Sequence, residues 1–62
     1  MKFKEFMNTY NNWNGITRVN DNNFNTIIEE ATYVIMCTRK DLFGKEVVSF
    51  GFYDGVMTVR VK

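Results

Sequence analysis

The chain has no histidine, no proline and a single cysteine, Cys37. One cysteine cannot form an intramolecular disulfide, and the usual zinc sites need histidines or several cysteines. Neither crosslink can therefore reinforce a domain of 62 residues, a length at which the core is small. Oligomerisation is the remaining reinforcement. The sequence also has no glycine-rich phosphate loop and no cluster of metal ligands, so we expect no cofactor and no metal.

Long apolar runs are also missing. The longest, "YVIMC" at residues 33–37, is far shorter than the roughly 20 residues of a membrane-spanning helix. Glu5, Asn8 and Thr9 interrupt the segment where a signal peptide would be apolar. The formal net charge of +1 produces no strong field toward nucleic acid or a membrane. We expect a soluble, cytoplasmic protein with no membrane partner.

The apolar content is nevertheless high enough for folding. Hydrophobic residues make up 45% and aromatic residues 16% of the chain, which predicts one globular domain over residues 1–62. Phe3, Phe6, Met7 and Tyr10 follow the i, i+3, i+4, i+7 spacing of an amphipathic helix. We predict a helix from about residue 2 to 11, ended by asparagines and the turn dipeptide at 14–15.

The middle of the chain holds two predicted strands and one ambiguous segment. "ITRVN" (16–20) and "FNTIIEE" (24–30) read as strands joined by "DNN" in a hairpin whose register the sequence leaves open. For residues 32–43 the apolar run suits a buried strand. The ends favour a helix, because Thr32 can cap its start and Gly44 can close it. We predict the helix.

The C-terminal stretch contains the strongest local pattern. "EVVSFGFY" and "VMTVRV" flank Asp54-Gly55, a dipeptide typical of a two-residue type I′ hairpin turn. Pairing outward from this turn places the apolar residues of both strands on one face, with these partners: Phe52 with Met57, Phe50 with Val59, Val48 with Val61. The other face receives Tyr53 with Val56, Gly51 with Thr58, and Ser49 with Arg60. Turn chemistry and alternation therefore agree on one register.

These elements predict an α+β domain in the order α-β-β-α-β-β. An antiparallel sheet of about four strands would have the N-terminal helix packed on one face. The apolar side of the C-terminal hairpin, including Val48, Phe50 and Phe52, would form the core beneath that helix. The other face would meet solvent or a partner.

The segments "YNNWNG", "VND", "EVVSFGFYDG" and "VRVK" resemble small proteins of phages and integrated elements of low-GC gram-positive bacteria. The likeness spans most of the chain. It implies a protein that works in the bacterial host's cytoplasm by binding host machinery. Inhibitors of defence systems such as CRISPR-Cas, the anti-CRISPR proteins, are one group that acts in this way.

Candidate catalytic groups are few. A nucleophilic Cys37 would need a base, and the chain has no histidine. We expect this thiol to pack in the core. Glu29 and Glu30 are adjacent on a predicted strand and would point to opposite faces. Asp21 and Asp54 belong to turns. We predict a protein that is not an enzyme.

The candidate binding residues are aromatic and basic: Tyr10, Trp13, Tyr53, Arg18 and Arg60. Arg18, Arg60 and Tyr53 could share the open sheet face and bind single-stranded nucleic acid. Tyr and Trp are also enriched at protein-binding hot spots, and "NTYNNWNG" (8–15) places Trp13 in a polar turn, as an anchor or as a lid over the core. We predict a host protein as the partner and name a homodimer through the edge strands as the second candidate. The alternative is a small nucleic-acid-binding regulator.

Overall fold

The computed structural model describes residues 1–10 and 13–62. Its elements are α1 (Phe3–Thr9), β1 (Ile16–Asn20), β2 (Thr26–Ala31), α2 (Thr32–Thr38), a 3-10 turn (Lys40–Leu42), β3 (Val47–Tyr53) and β4 (Val56–Val61). The α+β class and the predicted element order are confirmed. The predicted end of the first helix at residue 11 lies outside the described residues, and α1 ends at Thr9. Within the described ranges, no helix is long and apolar enough to cross a membrane.

The four strands form one sheet in the order β2-β1-β4-β3. Each hairpin is antiparallel, but β1 and β4 run parallel in the centre. The prediction of an entirely antiparallel sheet is therefore wrong for the central pair. Parallel neighbours need a crossover connection, and the segment from β2 through α2 returns the chain so that the second hairpin lies beside the first in this orientation.

The β3–β4 hairpin follows the predicted turn chemistry. Asp54 and Gly55 have φ values of 54° and 78°, as a type I′ turn requires. Phe52 faces Met57 and Phe50 faces Val59, as predicted. Farther from the turn the register shifts, and Val47 takes the place opposite Val61 that the pattern assigned to Val48. Simple alternation cannot anticipate this shift, because an irregularity of this kind inserts an extra residue into one strand.

The core lies between the helices and one face of the sheet. Both helices contribute to it together with the two central strands, and its buried apolar members are Phe3, Phe6, Met7, Val19, Ile35, Met36, Leu42, Met57, Val59 and Val61. The buried strand residues alternate, with Thr17 and Val19 on β1 and Met57, Val59 and Val61 on β4, so they lie on one face of the sheet. Cys37 is exposed and its predicted burial is wrong, because the buried helical positions 35 and 36 turn residue 37 away from the sheet.

The prediction that Val48, Phe50 and Phe52 belong to the core is also wrong. Their exposed fractions are 40%, 50% and 63%. They lie on the edge strand β3, whereas the buried sheet residues come from β1 and β4. Phe50 still contacts the helical layer at its rim, where its ring centroid is 4.7 Å from that of Phe6 and 5.1 Å from that of Tyr10.

A buried pair of hydroxyl groups attaches α2 to β1. Thr32 Oγ1 donates to the Gly15 carbonyl at 3.1 Å and lies 2.6 Å from Thr17 Oγ1. Because a hydroxyl has one proton, Thr17 is the donor of the second bond. The predicted capping role of Thr32 is wrong: Ala31 occupies the N-cap, without a side-chain hydrogen bond. The Thr32 hydroxyl instead joins the helix start to the first hairpin.

Replacing Thr32 by valine should lower the free energy of unfolding by about 1 to 3 kcal/mol, because it removes two hydrogen bonds and leaves the buried Thr17 hydroxyl without its acceptor. Urea unfolding of the purified protein measures this loss. The matched control is Thr38→Val in the same helix, whose exposed hydroxyl donates to the Val34 carbonyl at 2.6 Å. It should change stability by no more than about 0.5 kcal/mol. Equal effects of the two substitutions would contradict the account.

Candidate functional site

The sheet face opposite the helices carries a cleft of about 330 Å³. We call it the open-face cleft and define it by Arg18, Asn20, Phe24, Ser49, Tyr53, Thr58 and Arg60. Its strand residues alternate with the buried core positions, which is why they point away from the helices. The parallel register pairs Arg18 with Thr58 and Asn20 with Arg60. Two guanidinium groups are therefore brought onto neighbouring central strands.

The two arginines of the open-face cleft have different partners. Arg18 Nε donates to Glu29 Oε1 at 2.5 Å across the β1–β2 pair. Arg60 has no carboxylate within ion-pair distance among the described residues, and its Nε is buried without a hydrogen-bond partner there. Thr58 Oγ1, two residues earlier on β4, is also buried and unpartnered in the described part of the chain. The cleft floor thus holds a cationic donor and a hydroxyl with unused hydrogen-bonding capacity.

Phe24 reaches the cleft from the turn between β1 and β2. Its ring centroid lies 4.5 Å from the guanidinium carbon of Arg60, a cation–π distance. The Asp21 carboxylate organises this turn by accepting hydrogen bonds from the backbone N–H groups of Asn23 at 2.8 Å and Asn25 at 2.9 Å. These bonds, that from Asn25 foremost, lower the pKa of Asp21. The Asp21 carboxylate is thus hydrogen-bonded within its own turn.

Tyr53 forms the opposite wall of the open-face cleft. The hydroxyl end of its ring lies close over Gly51: a Cβ added there would be 2.9 Å from the tyrosine oxygen and 3.0 Å from a ring carbon. Glycine is thus the residue that lets the ring lie directly on the strand. The side chain remains 62% exposed, so the outer ring face is accessible for stacking.

A second surface lies at the β3 edge, on the helical side of the sheet. We call it the edge surface and define it by Tyr10, Val48, Phe50 and Phe52. A shallow groove along it, of about 400 Å³, is lined by Tyr10, Val48 and Phe50 together with Met1, Phe6, Val47 and Ser49. Its lining carries no charged side chain, in contrast to the open-face cleft.

The structure separates the predicted binding residues. Arg18, Arg60 and Tyr53 lie together in the open-face cleft, whereas Tyr10 belongs to the edge surface. Trp13 is half-buried and packs against the core, which matches the lid interpretation.

Sequence reasoning missed several residues of both surfaces. Phe24 and Thr58 were not singled out, because one was assigned to a strand and the other to an unremarkable polar position. Phe50 and Phe52 were assigned to the core. An edge position for β3, rather than any motif, exposes these rings, and strand order is not written in local patterning.

The acidic side chains and the single thiol of Cys37 do not gather into one site among the described residues. In the described ranges, no group of three or more His, Cys, Asp or Glu side chains could hold a metal ion. Glu29 faces the open side with Arg18, whereas Glu30 lies opposite the buried Thr17. The two carboxylates thus project to opposite faces of the sheet, and Glu29 pairs with Arg18 on the open side.

Replacing Thr58 by valine should leave stability unchanged or raise it by up to about 1 kcal/mol, because the substitution keeps the shape and removes a buried hydroxyl that has no partner. Urea unfolding measures the free energy of unfolding of this variant and of Thr32→Val. The two can be compared because each substitution removes one hydroxyl from a threonine. A loss of more than about 1 kcal/mol at Thr58 would show that this hydroxyl already stabilises the free protein.

Comparison with known proteins assigns no family. No protein-family model, curated protein or solved structure matches the chain. The two surfaces that could bind a ligand are the uncharged edge surface and the open-face cleft with its two arginines.

Proposed function

We propose that the protein is a non-enzymatic interaction protein that binds a host protein along the free edge of β3. The partner would add an extended segment to the sheet and cover the edge surface. Backbone hydrogen bonds would supply part of the affinity, and side-chain pockets would supply specificity.

The observation that supports this proposal is the composition of β3. Its residues, "VVSFGFY", include no charge and no proline, although β3 lies at the edge of the sheet. Proteins usually protect such edges with charged residues, prolines or coverage, because unpaired backbone groups attract other strands. The other edge strand, β2, follows this rule with Glu29 and Glu30. The contrast favours β3 as the binding edge.

The chain covers only the beginning of this edge. The Val47 N–H donates to the Met1 carbonyl at 2.9 Å, and the Phe3 N–H donates to the Lys45 carbonyl at 2.8 Å. These bonds place the N-terminal segment beside residues 45–47. Beyond Val47, no described strand flanks β3 on its outer side, so the length from Val48 to Tyr53 is available.

The side chains along this length suit a protein interface. Phe50 and Phe52 are half or more exposed, and Tyr10 extends the same surface through its ring contact with Phe50. Contiguous exposed apolar groups of this kind are uncommon on monomers and mark interaction sites. Aromatic residues at such sites carry a large share of binding energy.

The resemblance to proteins of phages and integrated elements supports the biological setting of the proposal. In that setting the partner is a protein of the bacterial cytoplasm, and the action is occupation of a surface that the host protein needs. Inhibition of a defence system such as CRISPR-Cas is the favoured example. The same edge on a second copy of this chain is the competing occupant.

Replacing Phe52 by serine should weaken binding to the captured host protein at least about tenfold, because it truncates an aromatic contact at the centre of the proposed interface. Affinity capture from host lysate treated with nuclease, followed by titration of the purified partner, measures this change. Tyr33→Ser is the matched control, since Tyr33 is 57% exposed on α2 whereas Phe52 is 63% exposed on β3. The control should bind like the unmodified protein.

Two outcomes would contradict the proposal. The first is equal binding by Phe52→Ser and Tyr33→Ser, which would place the interface elsewhere. The second is a stable dimer of the isolated protein by light scattering that Phe52→Ser dissociates, which would assign the edge to self-association. Circular dichroism of each variant verifies that the fold is retained.

A further inference from the structure

We propose that the open-face cleft binds a nucleotide unit of single-stranded nucleic acid, with the phosphate at Arg60 and Thr58 and the base stacked on Tyr53. This inference goes beyond the proposed function. It concerns the sheet face opposite the helices. Arg60, Thr58 and Tyr53 are not part of the edge surface, although Phe50 and Ser49 line both the cleft and the groove of the edge surface.

The phosphate position follows from unused hydrogen-bonding groups. Arg60 Nε and Thr58 Oγ1 are both buried and unpartnered within the described residues, and both line the same cleft. A phosphate oxygen accepts hydrogen bonds from a guanidinium and from a hydroxyl, and a charged acceptor makes the stronger bonds. Both atoms have almost no exposed surface. A phosphate that enters the cleft as the covering side chains shift would therefore satisfy two polar groups that lack partners in the described part of the chain.

The charges around this position favour an anion. Arg18 lies one strand away and carries a second positive charge, which forms an ion pair with Glu29. Arg60 has no acidic partner in the described ranges, and the nearby Asp21 carboxylate is engaged by the N–H groups of its own turn. The residues that line the cleft thus include two arginines and no acidic side chain, although the whole chain has a net charge of only +1.

The base position follows from the aromatic walls. The Tyr53 ring rests on the Gly51 backbone and presents its outer face to solvent. Phe24 stands on the other side of Arg60 and is 71% exposed. Open sheet faces that combine aromatic rings with arginines bind single strands by stacking the bases and contacting the phosphates.

The same features argue against an acidic protein segment. A carboxylate side chain would use the arginine and the threonine but would leave both aromatic walls without a partner. A nucleotide uses the cationic floor and a wall at once. The cleft volume of about 330 Å³ lies within the range of roughly 300 to 1,000 Å³ that is typical of small-ligand sites.

The direct test uses adenosine 5′-monophosphate as the probe, followed by NMR on the full chain. We expect saturable binding that shifts the Nε–H signal of Arg60 and the ring signals of Tyr53. Adenosine and inorganic phosphate, titrated separately, should each bind at least about tenfold more weakly, because each lacks one of the two contacts. A short poly-aspartate peptide serves as the carboxylate probe.

The variant Arg60→Lys should weaken binding of the nucleotide about tenfold, because lysine keeps the charge but lacks the fixed donor fork of arginine. Arg39→Lys is the matched control, since Arg39 pairs with Asp41 outside the cleft. Tyr53→Leu should weaken binding of the nucleotide and leave binding of inorganic phosphate unchanged. Phe52→Ser should bind the nucleotide normally, which separates this test from that of the proposed function.

Several results would overturn the inference. An Arg60 Nε–H signal that does not move at saturation of the unmodified protein would do so without relying on any variant. Equal affinity for adenosine and its monophosphate would remove the phosphate contact. Tighter binding of the poly-aspartate peptide than of the nucleotide would assign the cleft to a protein carboxylate.

Discussion

The core is built on one face of the sheet and mainly on its two central strands, and this constraint determines which surfaces remain exposed. Each α-helix has seven residues and is therefore only about 10 Å long. A strand of seven residues, such as β3, extends over about 23 Å. Two such helices cannot cover every strand along its whole length. The parts that the helices leave uncovered include the opposite face of the sheet and the outer edge of β3 beyond Val47.

Both proposed surfaces follow from that incomplete coverage and meet at β3. Alternation along this strand sends Phe50 and Phe52 to the helical side and Ser49, Gly51 and Tyr53 to the open side. A protein segment that pairs with the backbone of β3 would use the edge and the helical side. A nucleotide would use the floor of the sheet and the outer face of Tyr53. The two kinds of ligand therefore require different atoms of the same strand.

Local patterns in the sequence are sufficient to predict the order of helices and strands and the turn at Asp54-Gly55. Positive φ values and alternation depend on neighbouring residues alone. Local patterns do not predict the order of the strands in the sheet. Alternation assigned Phe50 and Phe52 to the apolar side of the hairpin, which is their side in the structure, but burial depends on what lies above each strand. The same limitation applies to Arg18 and Arg60, whose shared face was predicted. Their proximity needed the parallel β1–β4 pair, a non-local feature.

The site residues show a similar division. Tyr53 and the arginines could be selected by chemical type, whereas Phe24 joins them only because its turn folds back over Arg60. Trp13 illustrates the opposite case. Its place in a polar turn predicts either an exposed anchor or a lid over the core, and the side chain is partly buried against the core.

The most direct test of the central claim is amide hydrogen exchange of the protein alone and in complex with its host partner. Alternate N–H groups of an edge strand point outward and lack a partner. Strand addition should therefore slow exchange of the outward amides between Ser49 and Tyr53 by at least about tenfold while β2 is unaffected. Slowed exchange at β2 or α2, with β3 unchanged, would contradict the claim that β3 is the binding edge.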